Sequence, residues 1–348
     1  MLNIIENDIK NIIKNVNLGY FKKKKILIFG SSGVIGQYFL ILFINLFKNK
    51  FSPSKVTLIT KNKIPFYLDF LKKNKKIKII NCNISEFDFT KIKKHDVIIF
   101  AGGYGQPSKF LKNPIETINL NTKILIKFIS KLNKNGKFLF ISSSEIYNGN
   151  NKKKLTEKDI GSTNTDDPRG CYIEAKRCGE AIINAYNKEF KIDAKSIRLC
   201  LAYGPGAKKE DGRVLNQFIE RSINKKILSI KDSGLAIRRY IYVADAIRMM
   251  LNIILFGRHI VYNVAGQEII TIGGLGKKIA KLLKVPVKFE KKSSLKGSPK
   301  NIALSIKRYQ SEFGNEKLVN IEQGLKNTVE WYRKLYNKKK GINYKSNQ

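Results

Sequence analysis

Lys25-Ile26-Leu27-Ile28-Phe29-Gly30-Ser31-Ser32-Gly33-Val34-Ile35-Gly36 is the stretch on which the fold turns. Its first five residues are a short apolar run of the kind that forms a strand buried on both faces. Three glycines follow at intervals of three, and then an apolar segment, Tyr38 to Phe47, long enough for a core helix. The order strand, glycine turn, helix has a specific use. Gly30 permits a tight turn, Gly33 lets the backbone approach a pyrophosphate, and Gly36 lets the helix pack closely on the strand, with free N–H groups at the helix start facing the phosphates. The spacing predicts a dinucleotide site at the first strand.

Outward from this unit the pattern alternates between strand and helix, as a parallel α/β sheet requires. Lys55 to Thr60, Ile77 to Asn81, Val97 to Phe100, Lys137 to Ile141 and Ala194 to Leu199 read as the next strands. After Tyr203-Gly204-Pro205-Gly206 the alternation breaks. The expected organisation is an N-terminal amphipathic helix within 1–23, a Rossmann-type domain over 24–203, and a smaller lobe over 204–336. Residues 241–256 are expected to return to the first domain, and a Lys- and Asn-rich tail over 337–348 reads as disordered. Ile270 to Leu283 and Asn320 to Tyr336 read as helices.

Asp167-Pro168-Arg169-Gly170-Cys171-Tyr172-Ile173-Glu174-Ala175-Lys176-Arg177 carries the chemistry. On a helix, Tyr172 and Lys176 stand one above the other. A free phenol titrates near ~10, and an adjacent cation favours its phenolate, so the pair is expected to take a proton from a sugar hydroxyl.

Taken together, these motifs resemble the extended short-chain dehydrogenase/reductase family of nucleotide-sugar epimerases, dehydratases and decarboxylases, over about residues 24 to 335. That family's Gly-x-x-Gly-x-x-Gly is matched by Gly30, Gly33 and Gly36, and its Tyr-x-x-x-Lys by Tyr172 and Lys176. Its third catalytic hydroxyl is matched by Ser143, in Ser142-Ser143-Ser144-Glu145-Ile146-Tyr147 after a strand. The resemblance implies a doubly wound parallel sheet holding NAD. Ser32, Val34, Ile35, Thr60, Asn83, Ile84, Ala101 and Gly102 would line the cofactor beside the glycines and the Tyr-Lys pair. It further implies a nucleotide-sugar substrate, a homodimer through helices including the one with Tyr172, and cytoplasmic glycan-precursor synthesis.

Glu145 narrows the expected reaction. The resembling 4,6-dehydratases carry Asp-Glu where this chain has Ser144-Glu145, and 4-epimerases carry an apolar or small residue. Ser-Glu-Ile-Tyr, together with the Arg169 to Arg177 motif and Asp211-Gly212-Arg213-Val214, is most similar to the UDP-glucuronate decarboxylases. Oxidation at C4 of a glucuronyl group leaves a ketone beta to the carboxylate, and such an acid loses carbon dioxide into an enolate that Ser143 and Tyr172 would stabilise. Glu145 would order the ring or a water for reprotonation. Tyr104, Ser144, Arg169, Arg213, Gln217 and Arg238 are the expected substrate contacts, Arg213 and Arg238 because a guanidinium grips a diphosphate bidentately. A dehydratase or 4-epimerase is the alternative reaction, and a non-catalytic cofactor-binding protein recruiting nucleic acid or anionic lipid is the alternative class.

Some positions depart from the pattern. The second strand ends in Thr60-Lys61-Asn62 without the family's ribose-binding Asp, which opens NADP beside NAD; Asn83 replaces an acid near the adenine. Leu201 and Gly206 stand where the decarboxylases carry Asn and Arg.

At 348 residues the chain is long enough for a cofactor core and a smaller lobe. The net charge of +40 comes almost wholly from lysine spread through every segment, with no arginine before Arg169. No stripe of cations with interleaved aromatics forms, so the charge favours anionic sugar nucleotides in general over a specific nucleic-acid partner. The apolar run Tyr38 to Phe47 is shorter than the roughly 20 residues of a membrane span, and Met1 to Lys14 reads as an amphipathic helix, not a signal peptide. Cys82, Cys171, Cys178 and Cys200 lack metal-site spacing and fit reduced thiols, so no metal is expected.

Overall fold

The computed structural model describes residues 1–230, 233–290 and 303–337; of the tail expected over 337–348, Asn337 closes the last helix and the rest lies outside the described residues. In chain order the elements are α1 (Leu2–Asn15), β1 (Lys25–Phe29), α2 (Val34–Leu46), β2 (Lys55–Thr60), β3 (Ile77–Asn81), β4 (His95–Phe100), α3 (Pro107–Phe110), α4 (Pro114–Asn121), α5 (Lys123–Ile129) and β5 (Leu132–Ser143). Then come α6 (Gly170–Phe190), β6 (Asp193–Leu199), β7 (Leu201–Tyr203), α7 (Val214–Lys225), β8 (Leu228–Ile230), β9 (Ile237–Tyr242), α8 (Val243–Phe256) and β10 (Val261–Val264). The chain continues through β11 (Ile269–Thr271), α9 (Ile272–Leu283), β12 (Val287–Phe289), α10 (Lys307–Phe313) and α11 (Ile321–Asn337).

Seven parallel strands form one sheet in the order β10-β6-β5-β4-β1-β2-β3. The uninterrupted apolar runs follow from burial on both faces. Ile26 and Ile28 of β1 join Val56, Leu58, Val97 and Ile99 in one core, whereas Leu27 and Phe29 join Ile59, Ile98 and Phe100 in the other. Helices α2 and α8 pack on the first face, and α5 contributes Leu125 and Phe128 to the second. This is the doubly wound sheet that the first strand and glycine turn announced.

Two features were not legible in advance. Strand β10, only four residues long, completes the sheet beyond β6 with Val261 registered on Ser196. Residues 269–271, of which Ile270 and Thr271 were expected to open a helix, form a strand antiparallel to β9, and the helix starts after them at Ile272. A three-stranded sheet, β11-β9-β7, and a two-stranded one, β12-β8, stand apart from the large sheet.

Helix α1 is amphipathic as its spacing predicts, burying Ile5, Ile9 and Ile12 against α2 and α8. Its Asp8 accepts hydrogen bonds from the Tyr38 hydroxyl at 2.7 Å and the Tyr242 hydroxyl at 2.8 Å. Burial pushes that carboxyl up to about 6 against the pull of both phenols.

Candidate active site

The expected cofactor residues gather at the C-terminal ends of β1 to β4, where open α/β sheets place their ligands. Gly30 has φ +87°, and a Cβ there would lie 2.6 Å from the carbonyl of Ala101 and from Gly102. A Cβ on Gly36 would lie 2.4 Å from the Gly30 carbonyl, so the turn closes only with glycine at both places. Gly33 caps α2 without a side-chain bond, leaving the N–H groups of Val34 and Ile35 at an open helix start. Ser32 is buried, and its carbonyl accepts from Gln37 at 3.0 Å. Thr60 ends β2 and donates to the Asn62 carbonyl at 3.0 Å, while Asn83 and the buried Ile84 follow β3.

Two buried oxygens in this cleft have no hydrogen-bond partner among the described residues: Ser31 Oγ and Asn83 Oδ1. Buried polar atoms are seldom left unpaired in a protein interior. A glycine cradle at a helix start, with two unsatisfied oxygens at its margins, fits a dinucleotide.

Beside this cleft, β5 delivers Ser143 as its last residue, and the Ser143 Oγ accepts from the Glu145 N–H at 3.1 Å. Ser144 starts the short 3₁₀ turn that follows and is buried. Tyr172 sits in the first turn of α6, close enough to Ser143 for that hydroxyl to lower its phenol. Its ring stacks on Phe110 with centroids 4.5 Å and planes 9° apart. One turn on, the Lys176 ammonium donates to the Ile141 carbonyl at 2.7 Å and stands 4.8 Å from the Phe140 ring centre and 5.8 Å from that of Tyr172.

The geometry of the pair is as expected; its electrostatics are not. Burial pushes the Tyr172 phenol up to about 12 and outweighs the lowering by Ser143, Arg169 and Arg213. Burial likewise pushes Lys176 down to about 7, with only Glu180 opposing it. The sequence reading had an adjacent cation favouring the phenolate; here burial outweighs every lowering contribution. Both groups lose water, and the lysine turns its proton toward a strand carbonyl instead of toward the tyrosine.

Glu145 and Arg169 are brought together. Glu145 Oε2 accepts from Arg169 Nε at 3.1 Å and Nη2 at 2.6 Å, and the guanidinium lies over the Phe110 ring at 5.3 Å. Arg177 fixes the same turn from α6, donating to the carbonyls of Ile146 and Gly161, each at 2.7 Å from Nη2. Arg169, expected as a substrate contact, here orients Glu145.

Arg213 precedes α7 and is paired with Asp211, donating from Nε at 2.9 Å and from Nη2. Its charge still acts on Tyr172. Gln217 donates to the Gly212 carbonyl at 2.9 Å. Arg238 lies on β9 with Nη1 donating to the Ile237 carbonyl at 2.8 Å. Tyr104 gives its hydroxyl to Glu116 Oε2 at 2.7 Å.

Phe110, Glu116, Glu180 and Arg198 escaped the sequence reading. Glu180 is four residues beyond Lys176, a spacing that could have flagged it. It accepts from Ser142 at 2.6 Å and from Arg198 at 2.9 to 3.2 Å. Among the described residues no group of three or more His, Cys, Asp or Glu could hold a metal, and no helix is long and apolar enough to cross a membrane.

Residues 26–265 match the model of the NAD dependent epimerase/dehydratase family. UDP-glucuronic acid decarboxylase 1 of Xenopus tropicalis is 24% identical over 319 residues, 90% of this chain and 73% of that protein. Among solved structures, the UDP-glucuronic acid 4-epimerase of Bacillus cereus, in complex with UDP-glucuronic acid and NAD, superposes with a TM-score of 0.75. That match has 23% identity and covers 90% of this chain and all of the other. The dTDP-glucose 4,6-dehydratase of Bacillus anthracis, in complex with NAD, gives a TM-score of 0.73 at 19% identity, covering 89% and 96%.

Proposed function

Because this chain belongs to the NAD dependent epimerase/dehydratase family, we propose that it decarboxylates a UDP-glucuronate-like nucleotide sugar, returning a UDP-xylose-like product. The observation that carries the reading is a carboxylate, Glu145, held by Arg169 beside the Ser143–Tyr172 pair. A hydride carrier such as NAD, held by the glycine turn and the open start of α2, would oxidise C4 and later restore it.

The side chains divide the remaining work. Tyr172 takes the C4 hydroxyl proton and gives it back. Ser143 and Tyr172 donate to the oxygen that gathers charge as the C5 carboxylate leaves as carbon dioxide. Glu145 orients the ring, or a water that reprotonates C5. The stack of Phe110 on Tyr172 keeps water from the phenol's apolar face.

Incubation with UDP-glucuronate in the presence of NAD, and separately NADP, followed by mass spectrometry of the sugar nucleotide, tests the proposal. Loss of 44 mass units, the mass of ~1 carbon dioxide by simple stoichiometry, and its absence in Tyr172→Phe support it. Loss of water from a neutral hexose donor, with UDP-glucuronate left intact, makes the protein a dehydratase instead.

A further inference from the structure

We infer that Glu116, in the first turn of α4, sets the choice of cofactor: its carboxylate occupies Lys61 at the end of β2, so that the chain takes NAD in preference to NADP. The inference rests on the dinucleotide reading of the glycine turn, and is independent of which sugar is transformed.

The sheet order supplies the placement. Strand β1, from which the glycine turn emerges, lies between β2 and β4. Lys61 directly follows β2, and Tyr104 follows β4 by a few residues. Glu116 joins them: Lys61 Nζ stands 3.3 Å from Oε1, and the Tyr104 hydroxyl donates to Oε2 at 2.7 Å. The bridge Lys61–Glu116–Tyr104 therefore links the ends of the two strands that flank the glycine turn. The adenosine ribose of a dinucleotide on this fold is read at the end of β2.

That strand carries no acid of its own. It ends in Thr60-Lys61-Asn62, which by itself would invite a 2′-phosphate. Glu116 reverses the sign of the invitation. It neutralises the cation nearest the strand end, and it adds a fixed negative charge that a phosphate must approach. The two partners differ in freedom: the Glu116 side chain is 24% exposed and anchored by Tyr104, whereas Lys61 is 55% exposed. The carboxylate stays where the lysine could swing away. A ribose diol can donate to a carboxylate, whereas a phosphate is repelled by it.

Fluorescence titration of the purified full chain with NADH and with NADPH, without any sugar nucleotide, reads the inference directly. The wild type is expected to bind NADH more tightly. Glu116→Gln keeps the shape and the Tyr104 contact but removes the charge, and should narrow the NADH preference roughly tenfold, by gaining NADPH affinity. Adding Lys61→Ala to Glu116→Gln should cancel that gain, because the freed lysine is the group that meets the phosphate. Tighter NADPH binding by the wild type, or a ratio unmoved by Glu116→Gln, overturns the inference. Binding of neither dinucleotide overturns it together with the cofactor reading. A shifted ratio in a protein that leaves UDP-glucuronate unchanged sustains it and removes only the proposed reaction.

Discussion

Replacing Lys176 with Met should make the protein more stable while abolishing turnover, with a gain that depends on pH in a defined direction. The ammonium is buried and lowered from its ordinary 10.5 to about 7. At about 1.4 kcal/mol per pH unit, keeping it charged in the folded chain costs up to roughly 5 kcal/mol. Against this stands the bond to the Ile141 carbonyl at 2.7 Å, whose loss costs about 1 to 2 kcal/mol. A net gain of about 3 kcal/mol near pH 6.5 follows. As pH falls from 10.5, the unfolded lysine takes its proton first and the folded one only near 7, so the wild type loses stability over that window and levels off below it. The advantage of Lys176→Met should therefore be largest at pH 6.5 and shrink by about 1.4 kcal/mol for each unit between pH 7 and 10. Urea unfolding followed by circular dichroism at pH 6.5, 7.5, 8.5 and 9.5 measures it. An advantage that is flat across that range, or a variant less stable than wild type at pH 6.5, would refute the burial argument.

Asp8→Asn, which keeps an oxygen for Tyr38 and Tyr242, should stabilise the chain by about 1 kcal/mol at pH 7.5 and not at pH 4 by calorimetry. The reason is that a carboxyl raised from 3.8 to about 6 loses folded-state stability as pH rises through that window. Gly36→Ala places a Cβ 2.4 Å from the Gly30 carbonyl and should weaken NADH binding at least tenfold or lower the melting temperature, read by titration and thermal melt together. Under the proposed decarboxylation, Glu145→Gln should lower the rate of carbon dioxide release by about 10² to 10⁴ while NADH affinity stays within about twofold, separating its part in the chemistry from cofactor binding.

What the sequence could reveal was whatever depends on short spacing. The glycine turn, the strand before it and the Tyr172–Lys176 face of α6 are each set by residues within one or two turns of one another, and all three form as read. Position 145 was legible for the same reason, two residues beyond Ser143 at the end of a strand. Glu116 was not, because Lys61 lies 55 residues away and meets it only when β2 and β4 take their places on either side of β1. Nor was the pairing of Arg169 with Glu145 across 24 residues, by which an expected substrate contact also orients an acid. Strand β10 was missed because four residues carry no usable period; its place is decided by β6.

The electrostatics of the Tyr-Lys pair were hidden for a deeper reason: helical spacing gives proximity, whereas proton affinity follows from the removal of water. Glu180 shows how the two separate. It lies one turn beyond Lys176 and favours the lysine's charge, yet Arg198 and Ser142 already take its oxygens. Burial outweighs the pull of that carboxylate, and the ammonium still falls to about 7. With Tyr172 raised to about 12, the free chain at neutral pH holds a protonated phenol beside a lysine whose charge burial disfavours. The fold has built the geometry of a base without its charge.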